Sequence, residues 1–130
     1  EKGLEFHTKL EPGAYVMGDY TALYSLAQNL IENAIKYTNA PGEITISVYN
    51  EEDRAVFSVA DTGVGIDSSE QKNIFNDFYR VGDEMTRSTK GSGLGLAIVK
   101  RVAETHKATI SLSSKLGKGS TFTVRFKKVD

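Results

Sequence analysis

The sequence predicts a two-layer α/β sandwich, with three helices on one face of a mixed, mostly antiparallel sheet of about five strands. Stretches with strand and helix periodicity follow one another in the order β-β-α-β-β-α-α-β-β. Short turns, rather than long crossovers, separate the strand pairs, which favours antiparallel pairing. With 130 residues and no internal repeat, the chain is predicted to be one domain, residues 1–130.

The first predicted strand covers residues 4–10, in which apolar and polar residues alternate as in a half-buried strand. A turn at residues 11–13 and a short strand at residues 15–17 follow. The strongest helix signal begins after Asp19, which is suited to an N-cap, and continues to Tyr37. Its apolar positions recur at helical spacing: Leu23, Leu26, Ala27, Leu30, Ile31, Ala34 and Ile35.

Two hairpins and two further helices complete the pattern. Residues 70–75 predict a short helix, and residues 94–106 predict a third helix with an apolar face. Residues 79–93 between them carry charge, Gly and Ser without periodicity, which indicates a mobile loop. The predicted hairpin strands are residues 44–48 with 56–60, and residues 109–113 with 121–126.

The composition excludes several classes of protein. The chain has no cysteine, so it has no disulfide framework, thiolate metal site or cysteine nucleophile. Its formal net charge of -1 gives no long-range attraction to nucleic acid or anionic lipid. No stretch approaches the roughly 20 apolar residues of a membrane span. We therefore expect a soluble domain that contacts neither nucleic acid nor membrane directly. The chain starts on a predicted strand without a methionine, which suggests an excised fragment.

A glycine-rich run precedes the third predicted helix, at Gly91-Ser92-Gly93-Leu94-Gly95. Such a run presents free N–H groups and the positive end of a helix dipole, which suit phosphate. By itself a run of this kind is as often a flexible joint. It is neither a Walker P-loop, because no Gly-Lys-Ser or Gly-Lys-Thr follows, nor a dinucleotide fingerprint, because the preceding segment is a polar loop rather than a strand.

Three polar side chains share one face of the first helix. Asn29 and Asn33 lie four residues apart and Lys36 three further on. Asparagine is a poor helix former, so a solvent-facing stripe would be better served by other residues. The other interpretation is a site for a magnesium–phosphate pair, for which an amide oxygen beside an ammonium is suited.

An acidic residue ends a predicted strand and precedes a glycine turn, in Asp61-Thr62-Gly63-Val64-Gly65-Ile66. In isolation this pattern is also typical of an ordinary turn. A buried carboxylate at this point can accept a hydrogen bond from an exocyclic amine, so adenine fits. The three motifs together indicate a nucleotide site far more specifically than any one of them.

These segments resemble the boxes of the GHKL superfamily of Bergerat-fold ATP-binding domains, and specifically its histidine kinase branch. The resemblance covers nearly the whole chain and includes a final glycine motif at residues 117–121. The matching boxes are residues 28–38 for the N box, 61–66 for the G1 box, 74–81 for the F box and 91–96 for the G2 box.

The resemblance implies a role for each motif. Asp61 would hydrogen-bond the adenine amine, Tyr37 would line the pocket, and Thr121 would be a lesser polar contact beside the base. The implied nucleotide-binding residues are Asn29, Asn33, Lys36, Tyr37, Asp61, Gly63, Gly65, Ile66, Phe78, Gly91, Ser92, Gly93, Leu94, Gly95, Leu96 and Thr121.

On the phosphate side, the resemblance implies ATP and Mg²⁺ as ligands. Asn33 would coordinate the metal with Asn29 nearby, Lys36 would reach a phosphate, and Arg80 would contact the phosphate chain. The implied catalytic residues are therefore Asn33, Lys36 and Arg80. The amides of residues 91–96 would receive phosphate oxygens.

Residues 79–93 correspond to the ATP lid of this family. Within it, Arg87 and Lys90 are weaker candidates for phosphate contact, since solvated side chains explain them equally well. Phe75 and Phe78 are either core residues or the hinge and docking surface of the lid.

The resemblance favours a protein-histidine kinase over a hydrolase. Hydrolysing relatives carry a general-base Glu where this chain has Asn29, and an amide cannot act as a base. Glu32 points about 100° away on the helix. Neither His7 nor His106 has the neighbours of a phosphoacceptor motif, so both are interpreted as structural or exposed. We therefore expect no autophosphorylation by this fragment alone.

The implied partners are a dimerisation and phosphoacceptor domain upstream in the parent protein and, through that domain, a response regulator. The fragment itself is expected to be a monomer and a cytoplasmic part of a parent anchored in the bacterial inner membrane. Three alternatives stay open at this point: a degenerate ATP-binding module that acts by protein contact, a GHKL ATPase and a serine kinase.

Overall fold

The computed structural model describes residues 3–11, 18–38, 41–71, 74 and 95–127. Its elements in chain order are β1 (Leu4–Leu10), α1 (Tyr20–Tyr37), β2 (Gly42–Glu51), β3 (Arg54–Asp61), α2 (Ser68–Gln71), α3 (Gly95–Thr105), β4 (Thr109–Lys115) and β5 (Gly119–Lys127). The predicted strand at residues 15–17 and the whole of the predicted lid, residues 79–93, lie outside the described residues.

The strands form one five-stranded sheet in the order β1-β2-β3-β5-β4. β1 pairs with β2 in parallel, and the other three pairings are antiparallel. The predicted two-layer α/β sandwich with a mixed, mostly antiparallel sheet is therefore confirmed. The single parallel pair requires a crossover, and α1 supplies it between β1 and β2.

The core lies between the sheet and the two longer helices. Alternate residues of the central strands point to it, including Ile44, Val59 and Phe122, as expected for strands with one buried face. Helix α1 buries Leu26, Leu30 and Ala34, and α3 buries Ala97, Val99 and Ala103. Each large apolar side chain buried in this way contributes about 1.5–3 kcal/mol to stability.

The ends of α1 have clear causes. The Asp19 side chain accepts a hydrogen bond from the Thr21 N–H at 3.3 Å, so the predicted N-cap is confirmed. The helix ends at Tyr37, as predicted, because Thr38 adopts an extended conformation. None of the helices in the described part of the chain has the length and hydropathy needed to cross a membrane.

Strand β1 departs from its predicted burial. Leu4 packs against the core, but Phe6 is 43% exposed and Leu10 is 66% exposed. Within the described residues, β1 is an edge strand that pairs with β2 alone, so it has fewer neighbours to cover its apolar residues. The prediction of a half-buried strand was therefore wrong for most of β1, although its bounds were right.

The short helix α2 begins two residues earlier than predicted. The Asp67 side chain accepts a hydrogen bond from the Ser69 N–H at 3.5 Å, so the first turn follows this acidic residue. Of the residues predicted to continue the helix, 72, 73 and 75 lie outside the described part of the chain.

His106 joins the end of α3 to the start of α1. Its Nε2 accepts a hydrogen bond from the Asp19 N–H at 3.1 Å, and its Nδ1 lies 2.9 Å from the Val102 carbonyl oxygen. The ring meets that of Phe126 edge-on, with centroids 6.4 Å apart. A Cβ at Gly18 would lie 2.4 Å from His106 Cδ2, so the chain enters α1 directly against this ring.

We expect His106→Ala to lower the free energy of unfolding by about 1–3 kcal/mol, since two hydrogen bonds and an aromatic contact are lost. Urea denaturation measures this difference, and His7→Ala is the control because the His7 side chain is 47% exposed. Equal stability of the two variants would contradict the structural role of His106.

Candidate functional site

The candidate site is formed where the end of α1, the end of β3 and the start of β5 meet. Residues 62–66, the G1 loop, lead away from β3 and pass the carboxyl end of α1. The Val64 N–H donates to the Tyr37 carbonyl at 3.1 Å. A Cβ at Gly63 would lie 2.2 Å from the same carbonyl oxygen, so only glycine permits this approach.

Asp61 is the last residue of β3, and its side chain is 9% exposed. Its Oδ1 accepts hydrogen bonds from the Gly63 N–H at 2.8 Å and the Ser120 N–H at 3.2 Å. Burial raises the pKa of the Asp61 carboxyl, and the two backbone hydrogen bonds oppose this with a smaller effect. Within the described residues, no hydrogen bond reaches Oδ2, so this oxygen can accept one from a ligand.

The other side of the G1 loop is fastened to the turn between β4 and β5. The Gly117 N–H donates to the Val64 carbonyl at 2.7 Å. A Cβ at Gly65 would lie 2.1 Å from the Lys115 carbonyl oxygen, and one at Gly119 would lie 2.1 Å from that of Asp61. The glycines predicted for this site therefore allow two backbone segments to touch.

We expect Gly65→Ala to destabilise the domain by at least about 2 kcal/mol more than Gly117→Ala, because only the first adds a steric clash. Both glycines have positive φ, +77° at Gly65 and +81° at Gly117, but no atom of the described residues lies within 4 Å of a Cβ at Gly117. Thermal unfolding of the two variants measures the difference. Similar losses would mean that the G1 loop shifts freely away from Lys115.

Helix α1, whose end contacts this loop at Tyr37, carries the predicted polar face. Asn29 is partly buried, and its Nδ2 donates to the Ser25 carbonyl at 2.8 Å, one helical turn back. Asn33 is also partly buried, and within the described residues its amide makes no hydrogen bond. The Lys36 ammonium lies 5.2 Å from the centre of the Tyr37 ring. Asn29, Asn33 and Lys36 lie on one face of α1, and their contacts with a nucleotide stay predictions.

Two neighbouring residues of β5 face opposite sides of the sheet. Ser120 pairs with Asp61 and is 6% exposed, whereas Thr121 pairs with Ala60 and its side chain lies on the other face. The neighbour of Asp61 on β5 is therefore Ser120, and the contact of Thr121 with the base stays a prediction. Strand alternation could have identified it, since Ser120 continues the inward series Phe122, Val124 and Phe126.

Several predicted site residues lie outside the described part of the chain. These are Phe78, Arg80, Gly91, Ser92, Gly93 and Leu94, together with the weaker candidates Phe75, Arg87 and Lys90. Gly95 is the first residue of α3, and Leu96 packs against the core. The phosphate contacts expected from residues 91–94 and from Arg80 therefore stay predictions.

Within the described residues, the remaining candidates for acid–base or acceptor chemistry form no hydrogen bond with Asp61. Glu32 is exposed and accepts a hydrogen bond from the Gln28 side chain at 3.1 Å. His7, on β1, lies 3.5 Å from Glu5 and 3.9 Å from Glu43 at the exposed edge of the sheet. Neither arrangement brings a base or an acceptor imidazole to the site.

The donor set fits adenine nucleotide and Mg²⁺. A nearly buried carboxylate with one open oxygen suits an exocyclic amine. A partly buried amide without a hydrogen bond offers the hard oxygen that Mg²⁺ prefers, and an ammonium one turn away suits phosphate. Asp61, Asn33 and Lys36 would hold the base, the metal and the phosphate respectively.

Residues 18–130 match the family described as histidine kinase-, DNA gyrase B-, and HSP90-like ATPases. The chain is 44% identical over 111 residues to the sensor histidine kinase RppB of Synechocystis sp., a match that covers 85% of this chain and 24% of RppB. The chain thus spans about a quarter of that relative's length.

Two solved structures share the fold. The mycobacterial sensor histidine kinase MprB superposes with a TM-score of 0.86 at 28% identity, over 97% of this chain and 84% of that one. Full-length ShkA in complex with AMPPNP superposes with a TM-score of 0.82 at 30% identity, over 98% of this chain and 27% of that one.

Proposed function

Because the chain belongs to the family of histidine kinase-, DNA gyrase B- and HSP90-like ATPases, we propose that it binds Mg-ATP and donates the γ-phosphoryl group to a histidine of a separate domain. It resembles sensor histidine kinases both in sequence and in structure. The proposed parent is a kinase of a two-component system.

The arrangement at Asp61 is the observation that carries the proposal. Two backbone N–H groups hold Oδ1, so Oδ2 has a fixed direction, and because no hydrogen bond from the described residues reaches Oδ2, it can accept one from the adenine amine. Tyr37 borders the same loop through its carbonyl. ShkA, which was solved with the ATP analogue AMPPNP, shares this fold and is 30% identical.

The α1 side of the pocket is proposed to hold the phosphate chain. Asn33 offers an amide oxygen for Mg²⁺, and Lys36 carries a compact positive charge one turn further on. When bound, the metal ion would neutralise charge on the phosphates. Positioning and charge neutralisation are the main contributions a protein makes to phosphoryl transfer, and they require no base on this chain.

Hydrolysis is disfavoured by the residues of α1. Asn29 cannot take a proton from water, and its amide nitrogen is already bonded to the turn before it. Glu32 is exposed and bonded to Gln28. We propose that the phosphoryl group passes instead to an imidazole on the dimerisation domain of the parent protein. That domain would in turn serve a response regulator, and the parent protein would be anchored in the bacterial inner membrane.

Incubation of the full-length parent with labelled ATP and Mg²⁺ tests this proposal. We expect an acid-labile, base-stable phosphoryl group, which identifies phosphohistidine, and no labelling of residues 1–130 alone. An acid-stable phosphoserine would indicate a serine kinase. Free phosphate released by residues 1–130 alone would indicate an ATPase, and either result would overturn the proposal.

A further inference from the structure

The orientation of Asp61 depends on a residue of β5 that is itself held by a neighbour. Of the two N–H groups that donate to Asp61 Oδ1, one belongs to the G1 loop at Gly63 and the other to Ser120. Any movement of Ser120 therefore changes the direction of the open carboxylate oxygen.

Ser114, in β4, links these two segments through its hydroxyl. Its Oγ accepts from the Ile66 N–H at 2.8 Å and donates to the Gly119 carbonyl at 3.0 Å. Its Oγ also lies 2.7 Å from the Ser120 hydroxyl. A serine hydroxyl has one donor and two acceptor sites, and Ser114 already donates to Gly119, so Ser120 is the donor in this last bond. All three hydrogen-bonding sites of the Ser114 hydroxyl are then occupied.

Gln71 reinforces the same junction from α2. Its Nε2 donates to the Ile66 carbonyl at 2.8 Å and to the Ser114 carbonyl at 3.3 Å. The Ile66 N–H is thus bonded directly to the Ser114 hydroxyl of β4, whereas the Ile66 carbonyl is linked to β4 through the Gln71 side chain. The Ser114 hydroxyl that accepts the Ile66 N–H is also bonded to the Ser120 hydroxyl.

We propose that Ser114 is a positioning residue for recognition of the nucleotide base, because its hydroxyl ties the G1 loop to Ser120 and thereby fixes Asp61. It does not touch the proposed ligand. The inference rests on the proposed nucleotide site, to which it adds a residue outside all the motifs of the sequence.

The first test measures hydrogen exchange at the Gly63 and Ser120 amides in nucleotide-free chains. We expect about tenfold faster exchange in Ser114→Ala than in Ser113→Ala, the size of one lost buried hydrogen bond. Ser113 is the matched control because it is exposed and pairs with Thr121. Unchanged exchange at both amides would overturn the inference whether or not the chain binds nucleotide.

The second test measures the dissociation constants of ADP and GDP. We expect Ser114→Ala to weaken ADP binding about tenfold and leave the weak GDP binding unchanged, because guanine has a carbonyl oxygen at the position of the adenine amine that Asp61 is proposed to accept from. Ser114→Thr keeps the hydroxyl, so its dissociation constant for ADP should be closer to that of the unaltered chain than the constant of Ser114→Ala is. Equal loss for both nucleotides would indicate a general structural role and overturn the inference.

Two further outcomes are distinguishable. If the unaltered chain binds no adenine nucleotide, the proposed function fails, and the exchange experiment still decides the role of Ser114. If Ser114→Ala does not fold, Ser120→Ala replaces it, since that variant removes the hydroxyl pair but keeps the Ser120 N–H. If hydrogen exchange at the Gly63 amide is then as slow in Ser120→Ala as in Ser113→Ala, the inference is overturned.

Discussion

Asp61→Asn is expected to weaken ATP binding on the order of 100-fold or more, although the side chain keeps its shape. The Gly63 and Ser120 N–H groups require an oxygen at the Oδ1 position, so the amide nitrogen must take the place of Oδ2. A donor would then face the donor amine of adenine. Isothermal titration with a non-hydrolysable ATP analogue measures the loss.

Asp67→Asn is the matched control for this substitution. Asp67 follows the G1 loop, is exposed, and bonds only to Ser69 within the described residues. The Asp67→Asn variant should bind the ATP analogue with the same affinity as the unaltered chain. Retained binding in Asp61→Asn would show that the base is recognised elsewhere.

The same carboxyl gives a pH-dependent difference in stability. Burial raises its pKa above the ordinary value of 3.8, so the folded chain keeps this proton to higher pH than the unfolded chain. The contribution of Asp61 to the free energy of unfolding therefore falls as the pH rises from 3.8 through the raised pKa. Asn does not titrate, so Asp61→Asn should gain stability relative to the unaltered chain over this range.

Urea denaturation of both chains at about pH 4 and about pH 7 measures this gain. If the difference in the free energy of unfolding between Asp61→Asn and the unaltered chain is the same at both pH values, burial does not raise the pKa of the Asp61 carboxyl. If Asp61→Asn instead loses stability relative to the unaltered chain as the pH rises, the hydrogen bonds to Asp61 lower its pKa by more than burial raises it.

Asn33→Ala is expected to lower the rate of phosphoryl transfer in the full-length parent on the order of 100-fold. The substitution removes the proposed metal ligand but favours the helix, because alanine is the better helix former. The initial rate of histidine phosphorylation with labelled ATP measures the effect, and circular dichroism confirms that α1 is intact.

Gln28→Ala serves as the control for Asn33→Ala. Gln28 is exposed on another side of α1, where its amide bonds to Glu32. Its loss should leave the transfer rate within about twofold, as for most surface substitutions. A rate in Asn33→Ala equal to that of this control would remove Asn33 from the mechanism.

Local signals in the sequence were sufficient for most of the fold. The N-cap at Asp19 and the apolar period of α1 fixed both ends of that helix, because both depend on residues close in the chain. The hairpins followed from alternation and short turns for the same reason. The position of Asp61 at the end of β3 was predicted from the glycine turn that follows it.

Features that depend on distant neighbours could not be predicted in this way. The exposure of Phe6 and Leu10 follows from the edge position of β1, which alternation within one strand does not reveal. Ser114 meets Ser120 because β4 and β5 pair in one register. By contrast, the burial of Ser120 rather than Thr121 could be read from strand alternation, because Ser120 lies in phase with Phe122 and Val124.

An adenine site at Asp61 can be tested by titrating the unaltered chain with AMPPNP and, separately, with a GTP analogue, each with and without Mg²⁺. We predict saturable binding of AMPPNP that is stronger with Mg²⁺, and binding of the GTP analogue that is weaker by at least about tenfold, since guanine offers no amine at the position that Asp61 reads. Absence of AMPPNP binding, or equal binding of both nucleotides, would contradict an adenine site at Asp61.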